Sequence, residues 1–507
     1  MLSIGKTRIY AILGVVAVGA GMSVAQLLSS IKSGLNGPIV SIGNRVIDHV
    51  PAGVKKFAIS TFGVNDKDAL VVTISIVVLI LAIFIGRWYF SGKRRPAILI
   101  VMFMTIIAVV AAIFDAGAGL LSVLPSLAAG GVTIWILRIL DNHTKKKGSE
   151  ELALNRRELF KTVGFIAVGS AASVIVGNFL HAHVSAQLQR LNIVLPKALK
   201  FLPPPPLDPA LTTAGLSKLF TPNSEFYRID TAITVPNINI GTWRLKIDGM
   251  VKNPLEFTYQ ELTDRAVFEL DDTIACVSNE VGGNLVGNAR WLGIRLDDLV
   301  KEASPLSSAD QVMGHSVDGF TAGFPLASLD GRDAMIAIGM NGEPLPVDHG
   351  FPARVIVPGL YGYVSATKWL TRIELTRFDR SQGYWIPRGW SVEAPIKTAS
   401  RIDTPASESA VQAGQRVIAG VAWAPTRGIS KVEVRVNNGV WRSATLGPDL
   451  AKTTWRQWWI DWEAAPGRTV LAVRATDGTG ALQSSQIVAV EPNGAEGWHT
   501  INVTVTR

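Results

Sequence analysis

The only cysteine of the 507-residue sequence, Cys276, lies in the stretch DDTIACVSNEVGGN at 271–284. A β-like run ends at this thiol and a glycine-rich loop begins, so the side chain stands where a strand could present it to a site. The solitary thiol has three possible uses: a small buried hydrophobe, a reactive nucleophile or a single-thiolate metal ligand. One cysteine cannot form an intrachain disulfide, which removes the commonest use of the residue in exported proteins.

The segments around Cys276 alternate between short strand patterns and short helix patterns. TWRLKIDGMV at 242–251 is typical of a strand, and RLDDLVKEA at 295–303 is typical of a helix. This mixture predicts an α+β domain over 221–400. From 401 to 507 the pattern is purely β, with Asn-Asn-Gly, Asp-Gly and Pro-Gly turns, and predicts an immunoglobulin-like β-sandwich.

The first 180 residues contain the longest apolar segments of the chain. Each uncharged segment is 18 to 22 residues long, enough for a helix to cross a bilayer core of ~30 Å. None of them shows the polar stripe expected of a buried helix in a soluble protein. The sequence therefore predicts a transmembrane region of five helices over 1–180, at 9–28, 69–86, 96–114, 116–137 and 162–180.

Basic residues are distributed unevenly between the two sides of these spans. With a cytoplasmic N-terminus, thirteen Lys and Arg residues fall on the inner side and five on the outer side. This bias predicts that everything after residue 180 lies outside the cytoplasm. The net charge of +9 is partly this bias, so it is not read as nucleic-acid binding.

The stretch NRRELFK at 155–161, before the fifth predicted span, resembles a twin-arginine export signal. An ordinary basic membrane anchor is the alternative. The twin-arginine route carries folded proteins, so it would predict a cofactor inserted in the cytoplasm. Residues 181–220 then form a linker, with a possible amphipathic helix at 181–200 and the proline-rich spacer LPPPPL at 202–207.

Residues 221–507 resemble the sulfite oxidase family of molybdenum-pterin enzymes. The resemblance implies that Cys276 ligates molybdenum together with the dithiolene sulfurs of molybdopterin, and a soft thiolate suits such a sulfur-rich site. It also implies two-electron oxo transfer on a small sulfur- or nitrogen-containing substrate. The matching stretches are TPNSEFYRID, VPNINIGTWRLKIDGMV, Cys276-Val-Ser-Asn279, ARWLGIRLDDLV, MNGEPLPVDHGFPARVIVPGLYG, TKWL and GWHTINV.

The resemblance implies roles for individual residues. Cys276 is the metal ligand and, with Arg228, the catalytic pair, since Arg228 would hold an anionic or polar substrate. Charged donors suit the phosphate and ring heteroatoms of a pterin. The implied cofactor-binding residues are Asn223, Phe226, Tyr227, Asp318, His349, Arg354, Ala366, Thr367 and Lys368.

The sequence departs from sulfite-oxidising members at two places. These members have an arginine shortly after the cysteine and a tyrosine shortly before MNG, where this chain has Glu280-Val281 and Ile338. A small dianion needs several cationic donors, so sulfite is disfavoured. Some bacterial relatives reduce sulfoxides and receive electrons from a haem-bearing membrane partner.

The partners of the chain follow from the same reasoning. No histidine lies inside the five apolar segments and no CxxCH occurs, so no haem is predicted in this chain. Electrons would pass to or from an external haem protein or a quinone-linked carrier. The C-terminal domain resembles the dimerisation domain of the family and predicts a homodimer. The alternative is a non-enzymatic membrane receptor or adhesion protein that retains the fold without the metal.

Overall fold

The computed structural model describes residues 2–31, 35–62, 66–115, 118–144, 161–173, 186–204, 213–265 and 267–507. The chain divides into two compact units. The helical unit consists of Met1–Gln189 and Asp230–Asn239, and the β-rich unit consists of Arg190–Ile229 and Ile240–Arg507. A short segment of the chain that follows the linker thus belongs to the helical unit.

The helical unit contains four helices that are long and apolar enough to cross a membrane, at Thr7–Ser29, Asp66–Phe90, Arg94–Ile113 and Leu120–Asn142. Large apolar side chains on these helices point outward, as a lipid-facing surface requires. Phe103, for example, is 64% exposed. The helices of the unit are α1 (Leu2–Ser29), α2 (Pro38–His49), α3 (Ala52–Phe62), α4 (Asp66–Phe90), α5 (Arg94–Ile113), α6 (Leu124–Thr144) and α7 (161–173). The short α8 (Ala186–Leu191) begins in this unit and ends in the β-rich unit.

The fifth predicted span, 162–180, is not among the candidate spans, so the structure gives four where the sequence predicted five. Its described part is α7, which at 1.5 Å per residue is about 20 Å long and too short for a bilayer core of ~30 Å. Residues 174–180 lie outside the described residues. Val163 and Ile166 of α7 nevertheless pack against the core of the other helices.

Glycines allow the long helices to approach until their backbones touch. A Cβ atom on Gly14 would lie 2.2 Å from the carbonyl oxygen of Ala82, and one on Gly21 would lie 2.3 Å from that of Ala129. The helix pairs α1–α4 and α1–α6 therefore pack through small residues, which is how membrane helices associate without a hydrophobic driving force.

The segment between α1 and α4 is helical, although the sequence assigned no structure to the 29–68 loop. Helix α2 is tied to the end of α5 by Asp115, whose carboxylate accepts hydrogen bonds from Asn36 Nδ2 at 3.0 Å, Ser41 Oγ at 2.5 Å and Asn44 Nδ2 at 3.1 Å. These bonds satisfy a carboxylate that is only 7% exposed.

The first part of the β-rich unit is the mixed α+β domain that the sequence predicts. One sheet has the order β2-β1-β10-β5-β6, and a second has the order β3-β4-β7-β8, with β9 paired to β7. The strands are β1 (Arg244–Gly249), β2 (Leu255–Thr258), β3 (Val267–Ala275), β4 (Val286–Arg295), β5 (Gln311–Ser316), β6 (Thr321–Pro325), β7 (Met335–Met340), β8 (Glu343–Pro344), β9 (Arg354–Ile356) and β10 (Leu370–Thr376). Three short helices connect them, at α9 (Tyr259–Thr263), α10 (Leu296–Ala303) and α11 (Gly362–Ser365).

The C-terminal residues form two sheets, β11-β13-β17-β16 and β12-β19-β18-β14-β15, that share one apolar core. Trp458 and Trp462 lie in this core, at 0% and 4% exposed. The fold is thus a β-sandwich. Its strands are β11 (Ala399–Thr404), β12 (Ser409–Gln412), β13 (Gly414–Trp423), β14 (Ile429–Val436), β15 (Arg442–Ser443), β16 (Thr445–Leu446), β17 (Arg456–Ala464), β18 (Gly467–Asp477) and β19 (His499–Thr506).

The carboxylate of Asp477, at the end of β18, is expected to make the stability of the sandwich depend on pH. Burial opposes its ionisation, but hydrogen bonds from Thr479, Arg427 and Thr398 outweigh that effect and lower its pKa to about 2. A lowered pKa stabilises the fold above the unfolded value of about 3.9, and this contribution is lost as the pH falls toward 2. We expect Asp477→Asn to lower the free energy of unfolding by ~2–3 kcal/mol at pH 7.

Chemical denaturation of the detergent-solubilised chain from pH 7 to pH 2 measures this effect. The difference from the parent chain should shrink below about pH 4. Asp461→Asn, at an exposed position on β17, is the control and should change little. A difference that stays constant down to pH 2 would contradict the assignment.

Candidate active site

Cys276 directly follows the last residue of β3, which confirms the predicted position of the thiol at a strand end. Its N–H donates to the Leu285 carbonyl at 2.9 Å, and its carbonyl accepts from the Asn279 N–H at 3.1 Å. Asn279 Oδ1 also accepts from the Leu285 N–H at 2.8 Å, which closes the loop 276–285. The residue as a whole is partly exposed, although the thiol itself is surrounded by protein. Burial raises the pKa of the thiol, and hydrogen bonds from Ser278 partly oppose this.

Asn223 and Phe226, both in the stretch TPNSEFYRID, contact His349. The carbonyl oxygen of Asn223 lies 3.0 Å from His349 Nε2. The Phe226 ring packs edge-on against the His349 ring, with 5.6 Å between centroids. Gly287 makes room for Phe226, since a Cβ atom there would lie 2.6 Å from the ring. The two motifs, more than a hundred residues apart in sequence, therefore form one site.

Tyr227 lies close enough to both Cys276 and Arg354 for them to affect its pKa. Its ring stacks on Phe226 with a centroid distance of 5.4 Å. Burial raises the pKa of Tyr227, the Cys276 thiol and the Asp272 carboxyl raise it further, and the Arg354 guanidinium opposes them. The phenol thus remains protonated near all three groups.

His349 and Arg354 are the buried basic residues of the site, at 5% and 4% exposed. Arg354 Nη1 donates to the His349 carbonyl at 3.1 Å, Nη2 donates to the Ala366 carbonyl at 3.4 Å, and the guanidinium lies 5.1 Å from the Trp291 ring centre. Burial lowers the Arg354 pKa to about 10. Burial, Arg354 and Lys368 lower the His349 pKa to about 4, so this histidine is neutral at physiological pH.

The segment Ala366-Thr367-Lys368 lies beside the same residues. Lys368 Nζ donates to the Asp348 carbonyl at 3.2 Å and lies 4.5 Å from the Trp369 ring centre. Gly350, at a φ of +112°, lets the chain pass close to Lys368, because a Cβ atom there would lie 3.1 Å from the Lys368 Cα. The lysine is only 9% exposed, so its ammonium group is held close to the protein.

The two remaining predicted residues, Arg228 and Asp318, lie at the margin of the site. Arg228 is exposed and forms an ion pair with Asp348 at 3.2 Å, next to the Lys368 contact. Asp318 lies in the turn between β5 and β6, where its Oδ1 accepts from the Phe320 N–H at 3.1 Å. The structure thus brings most of the predicted residues together around Tyr227 and Arg354 and places Asp318 in a hairpin turn.

Sequence reasoning missed the residues of the sandwich that hold the cysteine loop. Arg401 Nη1 donates to the Gly283 carbonyl at 2.7 Å. The His499 ring packs on Gly282, where a Cβ atom would lie 2.2 Å from the ring and where φ is +79°. His499 belongs to the GWHTINV stretch, but nothing in that stretch alone shows that it reaches the loop after Cys276. Asn341, which binds Asn223 Oδ1 at 2.9 Å, was also missed.

A pocket beside the Cys276 loop is lined by both domains of the β-rich unit. Its lining includes two glutamates and no lysine or arginine. The basic residues next to it have carboxylate partners, since Lys397 pairs with Glu496 and Arg401 with Asp403. The lining residues are Ala275, Asn279, Glu280, Val281, Gly282, Tyr361, Thr398, Ala399, Ser400, Trp423, Gln483, Ala495, Glu496 and Gly497.

The donor set of this site fits a pterin that carries a metal and a phosphate. The Cys276 thiol can supply the soft ligand, and the basic groups of Arg354 and Lys368 can bind a phosphate. Arg354 Nε is buried and has no hydrogen-bond partner within the described ranges. A buried guanidinium N–H without an acceptor is costly, and a bound ligand would satisfy it.

Comparisons with known proteins point to the same part of the chain. Residues 232–385 match the family described as oxidoreductase molybdopterin binding domain. Mitochondrial sulfite oxidase of Homo sapiens is 27% identical over 339 residues, which cover 56% of this chain and 62% of that protein. The chain therefore spans less than two thirds of the length of the sulfite oxidases it matches.

A shorter relative and a solved structure support the assignment. The uncharacterized oxidoreductase YuiH of Bacillus subtilis (strain 168) is 32% identical over 148 residues, 29% of this chain and 72% of that protein. The crystal structure of sulfane dehydrogenase SoxCD from Paracoccus pantotrophus shares the fold, with a TM-score of 0.51 and 22% identity over 57% of this chain and 82% of that chain. This chain belongs to the sulfite oxidase family of molybdopterin-dependent oxidoreductases, whose cofactor is molybdenum-molybdopterin.

Proposed function

We propose that this chain is a membrane-anchored oxidoreductase that exchanges one oxygen atom and two electrons with a small, uncharged sulfur or nitrogen compound. The observation that carries the proposal is the partly exposed Cys276, which directly follows β3 and, like the buried Arg354, lies close enough to Tyr227 to affect its pKa. Molybdenum-molybdopterin, when bound, supplies the two-electron oxygen-atom transfer.

The residues of the site have distinct tasks in this proposal. Cys276 holds the metal, and the loop that Arg401 and His499 brace keeps the thiolate in place. His349, Arg354 and Lys368 bind the pterin and its phosphate through N–H donors. Arg228 contacts the polar end of the substrate, with its charge offset by Asp348.

The residues after Cys276 favour an uncharged substrate over sulfite. A dianion that leaves water must be compensated by cationic donors, and this chain has Glu280-Val281 where sulfite-oxidising members have an arginine. Glu280 is exposed and adds a negative charge to the Cys276 loop instead. A sulfoxide or an N-oxide carries a polar oxygen without a net charge, so a negative charge near the site opposes its binding far less.

Steady-state kinetics with an artificial electron dye test the substrate class. We expect the best sulfoxide or N-oxide to have a kcat/KM at least about 100-fold above that of sulfite. The reason is that the charged oxygens of sulfite would lack partners in the site, which raises the free energy of its transition state. Glu280→Arg should narrow this ratio by adding a cation to the Cys276 loop, where sulfite-oxidising members have one. Glu463→Arg, on the exposed surface of β17, should leave it unchanged. A preference for sulfite in the parent chain would overturn the substrate class.

The segment Asp230–Asn239 supports a position of the following chain on the side where α1 ends. Lys67, near the start of α4, donates to Asp230 Oδ1 at 2.6 Å and to the Ala232 carbonyl at 2.7 Å. Because α1 and α4 cross in opposite directions in this proposal, Lys67 lies on the side where α1 ends, and these hydrogen bonds hold Asp230–Asn239 on that side.

We place the catalytic region on the side opposite to the N-terminus. The basic residues make that side extracytoplasmic. No histidine lies in the four candidate spans. Electron exchange with a separate haem protein or quinone-linked carrier is therefore part of the proposal. A homodimer through the sandwich remains a prediction.

The single native cysteine allows a direct test of membrane side. In a Cys276→Ser background, new cysteines replace Asp461 in the sandwich and Ser91 after α4, both exposed positions. A membrane-impermeant maleimide added to intact spheroplasts should label position 461 and not position 91. Both should react after permeabilisation. Labelling at position 91 alone would contradict the proposed side.

A further inference from the structure

The segment 190–203, here called the strap, is held against the β-rich unit at both of its ends. Arg190 is buried, and its Nε donates to the carbonyl of Pro344 at 2.8 Å. At the other end, the Leu202 N–H donates to Glu269 Oε2 at 2.7 Å. The strap is therefore a fixed part of the surface of this unit.

The side chains of the strap divide into an inner and an outer set. Leu195 belongs to the inner set, since its Cδ1 lies 2.9 Å from the position of a Cβ atom on Gly339 of β7. Arg190 and Ala198 are also buried. The outer set, here called the outer face of the strap, consists of large apolar side chains that are 64–92% exposed, namely Leu191, Val194, Leu199 and Phe201.

The outer face is unusual for a surface in water. In the described part of the β-rich unit, the other large apolar side chains that are exposed to a similar degree are Val440 and Ile487, which lie in two separate turns of the sandwich. Single exposed apolar residues are common on soluble proteins, whereas clusters of them mark contact surfaces. The outer face therefore needs a partner that excludes water.

The charges beside the outer face indicate the kind of partner. Lys197 and Lys200 are exposed, and 190–203 contains no aspartate or glutamate. Lysine is depleted in protein–protein interfaces, which disfavours a protein partner. Apolar and lysine side chains together are typical of segments that lie in the surface layer of a membrane, where ammonium groups reach anionic headgroups. Lipid is therefore the partner that fits this surface.

We propose that the outer face of the strap lies in the headgroup layer of the membrane that the helical unit spans. The strap begins directly after Gln189, where the chain first leaves the helical unit. Its apolar side chains enter the lipid to a depth of ~5–10 Å, and Lys197 and Lys200 contact lipid phosphates. The inference rests on the proposed membrane anchoring, but it requires neither the proposed reaction nor a cofactor.

The strap also determines how β3 lies against the membrane. The Leu199 N–H donates to the Val267 carbonyl at 2.9 Å, and the Glu269 N–H donates to the Lys200 carbonyl at 3.4 Å. The strap thus pairs with β3, the strand that Cys276 follows. A strap seated on lipid holds β3 and the Cys276 loop in one orientation relative to the membrane, which suits electron exchange with a membrane-bound carrier.

Fluorescence quenching by labelled lipid measures the contact. Full-length protein in the Cys276→Ser background receives a single cysteine at Val194 or Phe201, carries an environment-sensitive fluorophore there, and is placed in nanodiscs of phosphatidylcholine and phosphatidylglycerol. A fraction of the lipid carries a nitroxide, either near the headgroup or in the middle of the acyl chain. We expect the headgroup nitroxide to lower the fluorescence at both positions by at least about twofold, and more than the deep nitroxide does, because the side chains lie ~5–10 Å deep.

Phe103→Cys and Val440→Cys are the controls in the same background. Phe103 is on the outward side of α5, so the deep nitroxide should quench a fluorophore there more strongly than the headgroup nitroxide. Val440 is as exposed as the outer face of the strap but lies in the sandwich, and neither nitroxide should quench a fluorophore there.

Three results would overturn the inference. Quenching at position 103 without quenching at positions 194 and 201 would leave the membrane anchoring in place and reject the contact of the strap with lipid. Emission from positions 194 and 201 that is blue-shifted but not quenched would show that a protein surface, such as a second copy of the chain, covers the strap. Absence of quenching at position 103 would reject the membrane anchoring itself.

Discussion

Replacement of Cys276 by serine is expected to abolish turnover while the folded chain keeps its pterin. The thiol is the only sulfur ligand the sequence can offer from cysteine, and a serine oxygen is a harder ligand than thiolate. Loss of residues that only support metal ligands costs about 10- to 100-fold, so loss of the ligand itself should cost about a thousandfold or more in kcat. Activity with an artificial dye and pterin fluorescence measure the two effects separately.

Ser278→Ala is the matched control for the cysteine. It removes a hydrogen bond to the thiol but leaves the sulfur in place, and Ser278 is exposed. The expected loss of activity is below about tenfold, the lower end of the effects of supporting residues. Near-parental turnover in the Cys276→Ser protein would contradict the role of the thiol as metal ligand.

Replacement of Arg354 by lysine is expected to cause the second largest effect, on cofactor retention. Lysine keeps the charge but cannot donate to the His349 and Ala366 carbonyls and to a ligand at the same time, as the planar guanidinium can. We expect pterin retention to fall by about 10- to 100-fold, which corresponds to about 1.4–2.8 kcal/mol of binding free energy. Equilibrium dialysis of the loaded protein measures the loss.

Arg295→Lys tests whether that loss is specific to the site. Arg295 also stacks on an aromatic ring, 4.5 Å from the centre of Phe268, but it is solvent-accessible and pairs with Asp333. Its replacement should leave pterin retention within about twofold, as expected for a surface ion pair. If both lysine variants retain the pterin equally well, Arg354 has no special part in binding.

Local patterns were enough to predict the strand end at Cys276 and the change from mixed strands and helices to strands alone near residue 400. The β-like run before Cys276 and the glycines after it predicted a strand end at the thiol, because such runs and turn residues are local properties. The change near residue 400 from mixed strand and helix patterns to strand patterns alone predicted the sandwich. The site residues between Asn223 and Lys368 came from the resemblance to a family, and their packing around Phe226 became visible only in the structure.

Contacts between distant segments could not be predicted from local patterns. The contact of His499 with Gly282 depends on how two domains meet, and no spacing rule connects residues more than two hundred positions apart. The outer face of the strap 190–203 was hidden for the same reason, since the sheet beneath the strap decides which of its side chains turn inward. Helix α2 was missed because its polar face interrupts the apolar run that a membrane span shows.

Joint metal and pterin analysis of the purified full-length chain tests the central claim most directly. The protein should be produced in a host that makes molybdopterin and loads a known molybdenum enzyme under the same conditions. Our account predicts close to one molybdenum and one pterin per chain, and a molybdenum X-ray absorption spectrum with one sulfur ligand fewer in the Cys276→Ser protein. A chain without molybdenum and pterin from that host, or a spectrum that the substitution does not change, would contradict it.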